Sequence, residues 1–182
     1  IDTTKAEVAL EAIDLGADMV NDVSGLTFDK EMAPVVGQAG ASVVVMHMKG
    51  RPRNMQENPC YEDVIGEITS FFRERISYLQ DHGVDVGRIV LDPGIGFGKR
   101  LKDNLAIIKL LHRFKVFGRP ILVGTSMKSF IEMATGGSME DRRVGTVASV
   151  AVALWNGADI VRVHDVAAAR RVVDLVCAIK ES

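Results

Sequence analysis

With 182 residues, 47% of them hydrophobic and 25% charged, the chain has the size of one globular domain and enough apolar material for a substantial core. A formal net charge of −2 offers no basic surface to follow a phosphate backbone, so no nucleic-acid partner is expected. Cys60 and Cys177 stand far apart in no CxxC pattern, which argues against a disulfide framework or a structural zinc site and fits a reducing, cytoplasmic setting. No apolar run reaches the roughly 18 residues of a membrane span and no basic-then-apolar leader opens the chain, so no membrane partner is expected.

In chain order, Ile1-Asp2-Thr3-Thr4 reads as the last step of a strand followed by a helix start, with Thr4 three residues before Glu7 as in a capping box. Short apolar strands then recur: Asp18 to Val20 before Asn21, Ser42 to Met46 before His47, Arg88 to Leu91 before Asp92, Ile121 to Val123 before Gly124, and Ile160-Val161 before Arg162. Helix-period stretches separate them. From Glu62 to Gln80, for example, Val64, Ile65, Ile68, Phe71, Phe72, Ile76 and Leu79 recur at threes and fours. Such βα units make a parallel sheet covered by helices, either closed as a barrel or open and doubly wound. Nearly every strand here ends in a reactive group, and a barrel gathers its strand ends around one ring. The expected fold is therefore α/β, a TIM-type (β/α)8 barrel. Residues 1–182 are expected to form one domain with six βα units, lacking the first two strands and their loops, since a closed barrel has eight strands and about 250 residues.

Asp92-Pro93-Gly94-Ile95-Gly96-Phe97-Gly98-Lys99 delivers a carboxylate from a buried strand into a glycine-rich turn. Two nucleotide motifs fail on it by position. A Walker A loop needs glycine where Pro93 stands and Ser or Thr where Arg100 stands, and the dinucleotide fingerprint needs a glycine where Lys99 stands. Asp2, Asn21 and Asp92 each follow a strand, and each alone reads equally as a helix cap or turn residue. Together they suit a flat heterocycle whose edge alternates donors and acceptors, with Met46 placed to touch its face.

Gly124 to Phe130 leaves a strand and enters a helix, where backbone N–H groups and Ser129 suit an anion and Lys128 reaches inward; a solvated lysine is the alternative. Ser126 and Lys128 are two residues apart, not the three of an SxxK acyl-transfer site. Arg162 and His164, on one face of a strand end, suit a phosphate or diphosphate, against the alternative of a buried ion pair with a neighbour such as Asp165. His82 and His112 fall in helical stretches, His47 closes a strand before a loop-like segment, and Arg142-Arg143 reads as a solvated helix start. No metal triad is spaced along the chain. Val147, Val150, Ala151 and Leu154 mark an apolar helix face suited to a partner or to the core.

Six segments, Asp2-Thr3, Asn21 to Gly25, Met46-His47-Met48, Asp92 to Lys99, Gly124 to Ser129 and Arg162 to Val166, resemble in order the motifs of the dihydropteroate synthase family, across essentially the whole chain. The resemblance implies a (β/α)8 barrel that condenses 6-hydroxymethyl-7,8-dihydropterin diphosphate with p-aminobenzoate, releasing pyrophosphate and forming 7,8-dihydropteroate for folate synthesis by a dissociative substitution. It implies that Asp2, Asn21, Met46, Asp92, Phe97, Lys128 and Arg162 bind the pterin, that Arg162 and His164 hold the diphosphate, and that Lys128 and Ser129 meet p-aminobenzoate. Lys128, Arg162 and His164 are the implied catalytic residues. Magnesium as cofactor, sulfonamides as competitors and a homodimer also follow from it, with the magnesium ligand expected in the absent N-terminal part and none in this chain. Two departures stand out: Met127, where the family usually carries arginine, and the absent first two strands. The nearest rivals are the methyltetrahydrofolate-corrinoid methyltransferase type, which shares Asp2, Asn21 and Asp92 but needs no diphosphate site, and a non-catalytic pterin-binding fragment.

Overall fold

The computed structural model describes residues 1–137 and 139–182. Its elements are α1 (Ala6–Asp14), β1 (Met19–Asp22), α2 (Met32–Ala39), β2 (Ser42–Met46), α3 (Val64–Asp81), β3 (Ile89–Asp92), α4 (Leu101–Lys109), β4 (Leu122–Val123), α5 (Ser129–Thr135), α6 (Met139–Trp155), β5 (Ile160–Val161) and α7 (Val166–Glu181). β1, β2 and β3 pair in parallel, as do β4 and β5. Single parallel bridges set Asp2 beside Asn21 and Leu91 beside Ile121. The expected parallel α/β architecture is thus present, and its strand neighbours are successive in sequence. That order has none of the reversal that defines the switch point of a doubly wound sheet.

Local chemistry sets the helix limits. Asp63 accepts the Ile65 N–H at 3.1 Å, so α3 begins two residues after Glu62, and it buries Val64, Ile68, Phe72 and Leu79 along one stripe. The Thr4–Glu7 capping box does not form at α1. The Thr3 hydroxyl accepts from Lys5 N at 3.1 Å, and the Asp29 carboxylate, 23 residues on, accepts from Ala6 N at 2.8 Å. A tertiary carboxylate has taken over the first helical N–H, and sequence spacing could not show that.

The strands bury both faces, as parallel strands under helices do. Val43, Val45, Ile89, Leu91, Ile121 and Val123 face the helices and share their core with Phe72 and Phe114. Val44, Val90 and Leu122 form a separate small cluster on the opposite, inner face. Register and the period of two then place the functional strand ends. Asn21 is level with Val44, Met46 with Asp92, and Leu122 with Ile160, two residues before Arg162. Asp2, Asn21, Met46, Asp92 and Arg162 therefore share the inner face, at or above an apolar floor.

Val150 and Leu154 of α6 are buried against Val176 of α7, with Ala151 packed on them, whereas Val147 is 41% exposed. Among the described residues, no helix is long and apolar enough to cross a membrane.

Candidate functional site

Asp92, the last residue of β3, is 2% exposed and accepts the Gly94 N–H on Oδ1 at 2.7 Å. That turn requires glycine: Gly94 has φ +68°, and a Cβ there would lie 2.0 Å from the His47 carbonyl oxygen. Burial pushes the Asp92 carboxyl above its ordinary range, while the Gly94 N–H and then the charges of Arg162, Lys99 and Lys128 oppose that rise. One buried carboxylate is thus surrounded by three cations. Next to it, Met46 is fully buried. Asn21 carries a buried Nδ2 with no hydrogen-bond partner in the protein, a donor whose isolation is costly unless a ligand meets it. Asp2 is exposed and pairs with Arg162 Nη1 at 3.3 Å.

The segment after β4 supplies Lys128, whose Nζ stands 4.2 Å over the Phe97 ring. Gly96 lets it lie there, since a Cβ at that position would approach Lys128 Cδ to 3.2 Å. Burial lowers the Lys128 amine, Asp92 raises it and Arg162 lowers it again. His164 is tied to the same segment: its Nδ1 is 2.8 Å from Ser126 Oγ, which also accepts the His164 N–H at 3.4 Å. Nδ1 is thereby committed to Ser126, and Nε2 is the ring nitrogen left for a ligand. The alternative ion pair of Arg162 forms with Asp2, exposed and not buried, and not with Asp165. Asp165 instead caps α7 by accepting from Ala168 N at 2.9 Å.

The structure therefore brings Asp2, Asn21, Asp92, Phe97, Lys128 and Arg162 to one rim, with His164 beside them on Ser126 and Met46 fully buried beneath it. Ser129, the first residue of α5, is exposed and opens onto a depression shared with Glu132, Met133, Gly136 and Gly137. Met127 has φ +57°, donates its N–H to Thr146 Oγ1 at 3.1 Å and lines an apolar cavity of about 370 Å³ between α6 and α7. Arg142 is no free surface cation: it pairs with Glu132 of α5.

Several residues beneath the rim escape sequence reasoning. Lys99 is 3% exposed, and its Nζ reaches Phe97 O at 3.0 Å, His47 O at 3.2 Å and His47 Nδ1 at 3.1 Å. Gln56 holds Gly96 O at 2.7 Å, Tyr61 holds Gly98 O at 2.8 Å, and Asn104 accepts from Gly96 N at 2.8 Å. His47 is buried and meets Phe71 edge-on at 5.0 Å, well packed at the start of its loop. Asp22 is fully buried and accepts from both Ser24 N and Ser24 Oγ at 2.7 Å, a turn-holding role next to Asn21. Only the place of Lys99 directly after a glycine turn hinted at any of this. Among the described residues, no cluster of three His, Cys, Asp or Glu side chains is placed to hold a metal ion.

Residues 1–164 match the sequence profile of the pterin binding enzyme family. The chain belongs to that family. It is 46% identical to the dihydropteroate synthase of Synechocystis over 92% of this chain and 58% of that protein. The Yersinia pestis dihydropteroate synthase, solved as a complex with a sulfonamide drug, superposes with a TM-score of 0.95 at 35% identity over 99% of this chain and 65% of its own. The Xanthomonas albilineans enzyme in complex with 7,8-dihydropteroate superposes with a TM-score of 0.91 at 37% identity over 100% and 66%. The chain thus spans about six tenths of the length of such relatives, and the family resemblance read from its motifs is borne out.

Proposed function

We propose that this chain carries the pterin and diphosphate subsites of a dihydropteroate synthase, built on a (β/α)8 barrel to which the five sequential parallel strands and the bridge at Asp2 belong. One observation carries the reading. A buried carboxylate, Asp92, and the unpartnered Asn21 amide face one rim with Arg162, Lys128 and His164. Asp92 accepts paired N–H groups from the pterin edge, Asn21 donates to it, and Phe97 supplies apolar contact, with Met46 packed beneath. Arg162 and the His164 ring bind the diphosphate. When the bond between the pterin methylene and the diphosphate oxygen breaks, the electron pair leaves with the diphosphate and these cations stabilise it. The p-aminobenzoate nitrogen, positioned with help from Lys128 and Ser129, then bonds to the methylene carbon and releases its proton to solvent. The corrinoid methyltransferase reading leaves these anion-binding groups without a purpose.

Magnesium remains an expectation of the resemblance. Since the described residues offer it no cluster, no step is assigned to it. Sulfonamides are proposed as competitors for the p-aminobenzoate position, in keeping with the drug complex of the Yersinia pestis relative. A second copy of the chain is the proposed partner, supported by exposed Val152, Trp155, Leu175 and Ile179 on α6 and α7. The free, exposed Cys60 and Cys177 suit a reducing, cytoplasmic setting. Calorimetric titration with 6-hydroxymethylpterin tests the core of the proposal. Saturable binding that Asp92→Asn weakens by about tenfold or more is expected, because a hydrogen bond to a charged group contributes about 1.5–3 kcal/mol. Absence of binding by the folded chain would remove the pterin assignment.

A further inference from the structure

One buried cation takes no part in the chemistry proposed above. Lys99 is 3% exposed, and each of its three N–H groups has an acceptor: Phe97 O, His47 O and His47 Nδ1 at 3.0, 3.2 and 3.1 Å. All three acceptors are neutral. His47 is held neutral by burial, reinforced by the charges of Lys99 and Lys49, which pull its pKa down to about 3. Among the described residues, no carboxylate lies within ion-pair range of Lys99, and the negative charges that act on it are Asp92 from β3 and then Asp103 from α4. A fold that buries an ammonium without a contact ion pair bears a large desolvation cost. The two carbonyl contacts, at Phe97 and His47, show where that cost is used. They join the glycine turn to the end of β2, and Asp92 draws its own hydrogen bond from Gly94 in the same turn.

We propose that Lys99 is the positioning residue of Asp92: its ammonium is the internal counter-charge of that carboxylate, and its hydrogen bonds lock the turn that aims the carboxylate at a ligand. The proposal rests on the reading of Asp92 as the acceptor for the pterin edge. Arg162 and Lys128 also act on Asp92, but they stand on the ligand side. Arg162 is exposed and paired with Asp2, and both are committed to ligand anions in the proposed reaction. Lys99 alone approaches from inside the protein, where neither salt nor a departing diphosphate changes its influence. When a flat heterocycle covers the rim, Asp92 loses what water it has. A protonated Asp92 would present a donor to the donors of the pterin, so the interior charge decides whether the contact forms.

The groups facing Lys99 are His47 from the end of β2, Asp92, Asp103 and, after β4, Lys128, with Lys49 acting on His47. Burial, opposed by Asp92 and Asp103, brings Lys99 down to about 7. As pH rises through that value the counter-charge is lost and pterin affinity falls.

Carbon-13 NMR titration of side-chain carboxyls tests this on the full chain, with Asp92→Asn identifying the Asp92 signal. Lys99→Met is expected to raise the Asp92 midpoint by about one pH unit or more, and Lys99→Arg to restore it. Calorimetry with 6-hydroxymethylpterin should show wild-type affinity falling by about threefold or more between about pH 6 and about pH 9, a step absent from Lys99→Met. An unchanged Asp92 midpoint in folded Lys99→Met overturns the proposal. The wild type supplies the same test should a variant not fold. Its Asp92 signal must carry a second, smaller step where Lys99 loses its proton, and a curve without that step also overturns it. If the chain binds no pterin while the Asp92 midpoint still follows Lys99, the electrostatic pairing stands and the pterin reading falls.

Discussion

Arg162 Nη1 lies 3.3 Å from the Asp2 carboxylate, an ion pair between residues 160 apart that links the bridge beside β1 to the end of β5. Their side chains are 42% and 63% exposed, so water and salt screen the pair and its contribution to stability is at most about 1 kcal/mol. Its value is positional, because it holds a planar guanidinium over the rim in a fixed orientation. Asp2→Ala is therefore expected to shift the free energy of urea unfolding by less than about 1 kcal/mol while weakening 6-hydroxymethylpterin by about tenfold or more. Equal losses in both measurements would identify the pair as a strut of the fold and nothing else.

Lys128 allows a complementary test. Its ammonium stands over Phe97 and is partly desolvated, a site cost that a ligand acceptor recovers. Lys128→Met keeps the stem packed on the ring and removes only the charge. Unfolding free energy should stay within about 1 kcal/mol of wild type or rise, and calorimetric pterin affinity should fall by about tenfold to a hundredfold.

The sequence made the βα alternation legible because β-branched runs such as Ser42–Met46 and the stripe in α3 follow the periods of their elements. It made the rim legible because a parallel strand presents polar residues only where it leaves the core, as Asn21, Asp92 and Arg162 do. The layer beneath was hidden. Lys99, His47, Tyr61 and Gln56 belong to different segments and meet only through the fold, and a lysine after a glycine turn looks the same in sequence whether it is solvated or buried. The Asp29 cap on α1 was hidden for the same reason.

Two glycines with the same left-handed backbone give a sharp contrast in stability. Gly118 has φ +61°, and a methyl group added there would meet nothing within 4 Å, so Gly118→Ala costs only the left-handed backbone penalty of about 1 kcal/mol. Gly94 has φ +68° and would drive a methyl to 2.0 Å from the His47 carbonyl oxygen. Backbone must then move, and Gly94→Ala should cost about 3 kcal/mol or more in urea unfolding and abolish pterin binding. Similar losses for the two variants would mean that the turn is free to relax away from β2.

His47 predicts a pH dependence of stability. Burial lowers its folded pKa from 6.5 to about 3, so between those values the unfolded chain binds a proton that the folded chain refuses. Its contribution is whole above pH 6.5 and is lost as pH falls toward about 3, up to about 5 kcal/mol. Asp92 acts in the opposite sense, since its raised pKa makes the folded state the better proton acceptor just above the ordinary carboxylate range. The wild-type curve alone mixes the two, and a comparison with His47→Gln separates them. Glutamine can still accept from Lys99 but does not titrate, so the drop in unfolding free energy between about pH 7 and about pH 5 should shrink by about 2 kcal/mol in that variant. Parallel curves for the two proteins would show that His47 takes up its proton without leaving its packed position against Phe71.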